Sequence, residues 1–318
     1  MTFNTPSFWY KPPAEMSVLS RALIPLGWVY GAITAARMNL IQPQKAGAPV
    51  ICVGNLTAGG SGKTPVAVAL MKALQNSGWY KSPCFLTRGY GGTLTGPQEI
   101  SPETGPDAGD EALLLSRTAP TVISRDRLAG AHHAAAQGHD LIIMDDGLQN
   151  PYLRKDISFI VVNGPLGWGN RRLIPAGPLR EFIKCGLKRA HALIALDGAP
   201  DIPGDKPVFQ ARRRVSCPLP SGSKVIGFCA LGRPEGFRDS LQTLGYDIVL
   251  FKTFPDHHRY SASDIQELKT EAARLNARLV TTEKDAVKIF PLNDISTVTI
   301  DLTFENPEAL LSMIKART

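Results

Sequence analysis

The stretch "VGNLTAGGSGKTP", Val53–Pro65, follows directly on the apolar run "PVIC", Pro49–Cys52. A short apolar run ending in glycine reads as a buried strand, and Lys63 to Asn76 carry a helical pattern. A strand, a glycine-rich turn and a helix form the setting in which G-x-x-x-x-G-K-[ST] becomes a phosphate loop. Here Thr57 stands where the first glycine belongs, followed by Ala58, Gly59, Gly60, Ser61, Gly62, Lys63, Thr64 and Pro65. Glycines let successive backbone N–H groups turn inward around a phosphate chain at a helix N-terminus, where the dipole favours an anion. Lys63 is placed to reach the β- and γ-phosphates and the Thr64 hydroxyl to bind Mg²⁺. Thr57 is tolerable if its backbone keeps φ below zero. Residues 57–65 are thus the candidate nucleotide-binding loop, with ATP and Mg²⁺ as the implied ligands.

Beyond the loop, short apolar runs alternate with helical patterns. "SPCFLTRGYGG" is a strand running into a glycine-rich turn, "GDEALLLSRT" opens a helix, and "PTVIS", "ISFIVVN" and "AHALIAL" are further strands. "LIIMDDG", Leu141–Gly147, is an apolar strand ending in acid, the arrangement that holds Mg²⁺ beside a phosphate loop. Asp145 and Asp146 are both candidate ligands. The rhythm predicts an α/β, P-loop NTPase-type, mostly parallel sheet with helices on both faces. A second alternation starts at "KVIGFCAL" and includes "SASDIQELKTEAARLN", where Ser261 is a good N-cap with Asp264 three positions on. It predicts a smaller C-terminal α/β domain. The expected divisions are 1–48, an apolar and basic helical segment at a membrane interface; 49–204, the P-loop domain; 205–222, a linker with extended strands; and 223–318, a smaller domain closing over the site.

The 318 residues suggest about two domains. With 43% hydrophobic and 20% charged residues the chain is a globular composition with ample core material. A net charge of +7 favours an acidic partner: nucleic acid, an anionic membrane or a phosphorylated substrate. Nucleic acid is not expected, because no aromatic-basic recognition motif is present. Five dispersed cysteines without a C-x-x-C pair argue against a disulfide scaffold or a zinc site. Between Arg21 and Arg37 lie fifteen uncharged residues, "ALIPLGWVYGAITAA". As a helix this spans about 22 Å, short of a hydrocarbon core of roughly 30 Å. It reads either as an interfacial helix, with Trp28 and Tyr30 near the headgroups, or as a helix packed on the domain.

The type of P-loop protein can be narrowed. "TTEKD", Thr281–Asp285, lacks the spacing of the guanine-reading N-K-x-D, and Ala58 occupies the position of the extra lysine in deviant-loop ATPases. A kinase is favoured. The competing reading is a P-loop ATPase acting as a switch or metallochaperone partner, but such proteins usually bring a C-x-x-C pair or a His-rich tract, which this sequence lacks.

Seven motifs occur in order: "VGNLTAGGSGKTP", "TRGYGG", "GDEALLL", "DDGLQ", "IPAGPLRE", "FPDHHRY" and "TTEKDAVK". Each is weak alone; together, from Val53 to Lys288, the chain resembles the tetraacyldisaccharide 4′-kinase (lipid A 4′-kinase) family of Gram-negative bacteria. The resemblance implies transfer of the ATP γ-phosphoryl group to the 4′-hydroxyl of tetraacyldisaccharide 1-phosphate, a lipid A precursor. It also implies a peripheral protein on the anionic, cytoplasmic face of the inner membrane, which we expect to be a monomer. Asp110 of "GDE" matches the family's catalytic acid, and its histidine partner falls on His257, with His258 adjacent as an alternative. Glu181 resembles a further Mg²⁺-associated carboxylate, Arg180 would sit beside the phosphates, and Arg88 and Tyr90 would line the cleft. The segment holding Arg171, Arg172, Arg180, Lys184, Lys188 and Arg189 is a candidate for holding the substrate's 1-phosphate. The sequence departs from the family pattern at Asn150, where histidine is usual, at Ala112, where proline is common, and at Ala230, where glycine is usual.

Overall fold

The phosphate-loop strand lies near the middle of a long sheet in the computed structural model, which describes residues 6–198, 204–289, 292 and 294–318. In chain order the elements are α1 (Val18–Ala22), α2 (Ile24–Leu40), β1 (Val50–Gly54), α3 (Lys63–Ser77), β2 (Pro83–Thr87), β3 (Gln98–Ile100), α4 (Asp110–Ser116), β4 (Thr121–Ile123), α5 (Arg127–Ala136), β5 (Leu141–Asp145) and β6 (Ile157–Asn163). They continue with α6 (Ile183–Arg189), β7 (Ala192–Leu196), β8 (Val208–Ser216), β9 (Lys224–Cys229), α7 (Glu235–Thr243), β10 (Asp247–Thr253), α8 (Ala262–Leu275), β11 (Arg278–Thr282), α9 (Glu283–Ala286), β12 (Ile295–Phe304) and α10 (Pro307–Lys315). The strands join in the order β10-β9-β11-β12-β8-β7-β6-β1-β5-β2-β4-β3.

The expected mostly parallel α/β sheet with helices on both faces is what forms. β1 pairs in parallel with β5 on one side and β6 on the other, and only the β3–β4 and β8–β12 pairs run antiparallel among the described residues. Strands covered on both faces must be apolar throughout rather than alternating, and β1, β2, β5, β6 and β7 are buried at every position. Successive side chains point to opposite faces. Ile51, Val53 and Ile143 therefore meet Leu70 and Leu74 of α3, whereas Val50, Cys52, Ile142 and Met144 meet Ala131 and Ala134 of α5. Each fully buried Ile, Leu or Phe contributes about 1.5–3 kcal/mol, so this double-faced core holds β1 and the loop after it rigidly.

The second alternation builds its own pair of cores: Val225, Cys229 and Val280 against Phe237 and Leu241 of α7, and Ile226, Phe228 and Leu279 against Leu268 and Ala272 of α8. Ser261 caps α8 in a capping box with Asp264, as its sequence suggested. Two long strands tie the halves together. β8 pairs with β7 over Val208–Ala211 and with β12 over Ala211–Ser216, while β12 pairs with β11 over Ile295–Val298. The expected linker therefore contains β8; residues 199–203, before it, lie outside the described residues. α10 returns to the first half, where Leu310 and Ile314 join the core beneath α3.

At the N-terminus the apolar stretch forms two helices. Ser17 caps α1, and α2 starts afresh with Pro25 in its first turn, where a missing N–H costs nothing. α2 meets the body through Gly27 and Gly31, whose Cβ positions would lie 3.0 Å from the Leu173 carbonyl oxygen and 2.6 Å from the Leu173 side chain. Its large apolar residues Leu26, Trp28, Val29 and Ile33 are exposed, as are Val18 and Leu19 of α1. Among the described residues no helix is long and apolar enough to cross a membrane.

Candidate active site

The loop between β1 and α3 has the backbone its glycines allow. Gly59 and Gly62 take φ of 99° and 87°, values that only glycine adopts cheaply. Thr57 is absent from the left-handed residues, which meets the condition set for it. Asn55, fully buried, ties the loop from beneath: its Nδ2 donates to the Thr57 carbonyl at 2.5 Å and to Ser61 Oγ at 2.6 Å. Ala58 N–H donates to the Pro178 carbonyl at 2.7 Å, and Tyr10 Oη donates to the Ala58 carbonyl at 3.1 Å. Gly60 stands free, with nothing within 4 Å of its Cβ position. Lys63, Thr64 and Pro65 form the first turn of α3, where proline fits because first-turn N–H groups lack helical partners.

β5 delivers Asp145 to this turn. Thr64 Oγ1 donates to Asp145 Oδ2 at 2.8 Å, while Asp145 Oδ1 is buried without a hydrogen-bond partner. Burial pushes the Asp145 carboxyl up to about 7, reinforced by the charges of Glu111 and Asp146 and opposed by Lys63 and Thr64. A buried carboxylate oxygen with no donor, next to a hydroxyl, suits a hard cation with oxygen ligands. Asp146 sits in the left-handed region, φ 52°, and is turned toward cations. Arg180 Nη1 donates to its two oxygens at 2.8 and 3.0 Å, and Lys63 Nζ lies 3.7 Å away. Burial would raise the Asp146 carboxyl, but Lys63 and Arg180 outweigh it and hold the group below the usual range.

Glu181 is buried and already engaged: Arg189 pairs with its Oε2, and Gln149 Nε2 donates to its Oε1 at 2.9 Å and to the Asn55 carbonyl at 2.8 Å. It is thus tied to the base of the phosphate loop through Gln149. Among the described residues no cluster of three or more His, Cys, Asp or Glu side chains forms a metal cage by itself. Mg²⁺ at a phosphate site needs none, because one or two carboxylates plus phosphate and water oxygens complete its shell.

Asp110 opens α4, yet it does not cap the helix; Gly109 is the N-cap and makes no side-chain bond. Its Oδ2 lies 3.0 Å from His257 Nδ1. The histidine arrives from the other half of the molecule, on the segment between β10 and α8. His257 has φ 60°, a strained value of the sort that clusters at functional sites. The Tyr90 ring packs edge-on against it, centroids 5.4 Å apart. His258 turns away to Asp264, 3.0 Å distant, and stacks on Phe254. Burial works against ionised Asp110, but the His257 bond and the charges of Lys288, His257 and Lys284 prevail, so its carboxyl is held below the usual range. The next residue, Glu111, is near enough to act on Asp145, so the two acidic clusters adjoin.

Several groups that the sequence did not single out are part of this neighbourhood. Arg127 is buried, and burial with the nearby charge of Arg88 lowers it to about 10, against the pull of Asp146 and Asp145. Arg88 and Tyr90 themselves are exposed on the rim. Gln149 was visible as part of "DDGLQ", but its link to Glu181 was not. Asn150 serves its turn, accepting from the N–H groups of Tyr152 and Leu153 at 3.0 Å each. Of the basic residues on the Asn170–Arg189 segment, Arg180 and Arg189 are committed to Asp146 and Glu181. Arg171, Arg172 and Lys184 line a recess of about 410 Å³ together with Trp28, Leu173 and Phe182.

The chain matches a family model described as tetraacyldisaccharide-1-P 4′-kinase over residues 19–318. It is 42% identical to the tetraacyldisaccharide 4′-kinase of Rhodospirillum rubrum, over 98% of this chain and 97% of that one. With the tetraacyldisaccharide 4′-kinase of Parvibaculum lavamentivorans it shares 45% identity over 89% and 86% of the two chains. Its fold superposes on the crystal structure of LpxK from Aquifex aeolicus in complex with ATP with a TM-score of 0.78, at 28% identity over 94% of this chain and 99% of that one. A phosphate loop, a buried carboxylate beside it, an Asp–His contact across two halves and near-full-length similarity converge on one conclusion: the chain belongs to the tetraacyldisaccharide-1-phosphate 4′-kinase family.

Proposed function

We propose that this chain transfers the γ-phosphoryl group of ATP to the 4′-hydroxyl of a tetraacyldisaccharide 1-phosphate, a step of lipid A biosynthesis, with Asp110 as the base. The observation that carries the assignment of Asp110 is its 3.0 Å contact with His257 from the opposite half of the molecule, with its neighbour Glu111 near Asp145 at the end of β5. Amides of the loop up to Thr64, apart from that of Ala58, which the Pro178 carbonyl holds, bind the phosphate chain, and Lys63 neutralises charge on the β- and γ-phosphates. Arg180, now on Asp146, is within reach of the same charge. Asp110 accepts the proton of the attacking hydroxyl, and His257 Nδ1–H holds the carboxylate in line. Thr64 and Asp145 would hold Mg²⁺, with Asp146 and Glu181 nearby, and the ion would supply charge neutralisation for the transferring phosphate. Residues 49–204 are taken as the nucleotide-holding half and 223–318 as the half that brings His257 to it. Arg88 and Tyr90 flank the entrance.

The exposed apolar face of α1 and α2, a net charge of +7 and the recess beside Arg171, Arg172 and Lys184 support a lipid acceptor bound from an anionic surface. We place the protein, as a monomer, on the cytoplasmic face of the inner membrane, with no role in nucleic-acid binding. The test is transfer from γ-labelled ATP to tetraacyldisaccharide 1-phosphate in detergent. Asp110→Asn is expected to bind Mg·ATP normally and to lose about 10²–10⁴-fold in kcat. Wild-type kcat in that variant would remove Asp110 from the base role.

A further inference from the structure

Lys288 lies on the turn after α9 with its side chain 1% exposed. Its Nζ is 2.7 Å from Asp285 Oδ1 and 3.5 Å from Asp110 Oδ2, and it faces the Tyr260 ring, 5.4 Å from the centroid. An ammonium taken out of water is tolerated only when it is well paired. Asp285 is its nearer partner and is itself anchored within its own half, its Oδ2 accepting from Ala230 N–H at 3.2 Å and Thr282 Oγ1 at 2.7 Å. Yet the ammonium is shared, and its second carboxylate belongs to the other half. The result is a row, Asp285, Lys288, Asp110 and the part-exposed His257, in which the positive end of one buried ion pair is aimed at Asp110. Nothing in the proposed transfer step uses Lys288.

We infer that Lys288 is a positioning residue that acts through Asp110: its charge keeps the carboxylate ionised and turned toward His257, and Asp285 keeps the ammonium in place. This rests on the assignment of Asp110 as base. The charged and titratable groups that act on Asp110 are His257 and Tyr260 from the loop after β10, Lys284 of α9 and Lys288 just after it; Asp285 of α9 stands behind Lys288 and Glu111 follows Asp110 on its own helix. Removing a cation beside Asp110 makes its carboxylate hold a proton more readily, so turnover is lost first at low pH. Removing the anion behind that cation has the opposite sign.

The experiment is a set of pH–rate profiles on the full chain, with Mg·ATP and tetraacyldisaccharide 1-phosphate in detergent. Lys288→Met should move the acidic limb of kcat to higher pH, with a loss of about tenfold per unit of displacement at pH values below the limb and no loss well above it. Its KM for ATP should stay unchanged. Asp285→Asn should move the same limb to lower pH. In an Asp110→Ala background Lys288→Met should change nothing further, as expected for two residues acting as one. If Lys288→Met folds poorly because Asp285 is stranded, Lys288→Met/Asp285→Asn removes both charges and should still show the upward displacement, since the nearer charge dominates. An unmoved acidic limb in the folded Lys variants, or an additive loss in the Asp110→Ala background, overturns the inference. Wild-type turnover in Asp110→Ala alone would instead overturn the base assignment.

Discussion

Gly62→Ala tests whether the phosphate loop is held in place by the end of β7. The residue has φ 87°, and a Cβ built there falls 2.4 Å from Leu196 Cδ1. Holding alanine in the left-handed region costs about 1–2 kcal/mol. Leu196 is fully buried in the core with Leu70 and Ile194, so its methyl has little room to retreat, and crowding adds about 1 kcal/mol. The sum is about 2–3 kcal/mol of unfolding free energy, read by urea titration. If the loop instead rotates to relieve the strain, the amides on either side of Gly62 leave their common focus, and Mg·ATP binding by calorimetry weakens at least about tenfold. The control is Gly60→Ala in the same loop, which needs no left-handed backbone and meets nothing within 4 Å; it should match the wild type in stability. Equal stability and equal ATP affinity in the two variants would refute the account of the loop.

Val29→Asp/Ile33→Asp places two charges on the exposed face of α2 and should sharply reduce sedimentation with anionic liposomes while leaving ATP binding intact; unchanged sedimentation would reject the interfacial helix. Asp145 offers a pH prediction. Burial lifts its carboxyl to about 7, well above the ordinary 3.8 of a free aspartate, so the folded state prefers the proton. That contribution to stability is full below about pH 4 and is lost as pH rises through 7. In the absence of Mg²⁺ the wild type should therefore lose about 3 kcal/mol of stability between pH 5 and 8 relative to Asp145→Asn. Parallel stability curves for the two proteins would show that the carboxyl is not held protonated.

What could be read from the chain alone was whatever rests on local spacing. The β1–loop–α3 unit follows from an apolar run, glycines at positions that need positive φ, and a lysine at a helix start, all within fifteen residues. Asp145 and Asp146 were visible because a buried parallel strand must be apolar and this apolar run ends abruptly at two acids. Ser261 and Asp264 marked the start of α8 for the same local reason. The choice between His257 and His258 was different in kind. Both precede the same helix, and only the loop's path, with His257 at φ 60°, sends one ring to Asp110 and the other to Asp264. The engagement of Glu181 by Arg189 and Gln149, the closeness of Glu111 to Asp145 and the approach of Lys288 to Asp110 are likewise contacts between distant segments. The sharing of one sheet by both halves through β8 and β12, and the return of α10 to the first core, were also beyond the sequence. Periodicity reports which face of an element is apolar, because that is set by 3.6- and 2-residue repeats. It carries no record of which other apolar face will cover it, and that pairing is decided by packing the whole chain.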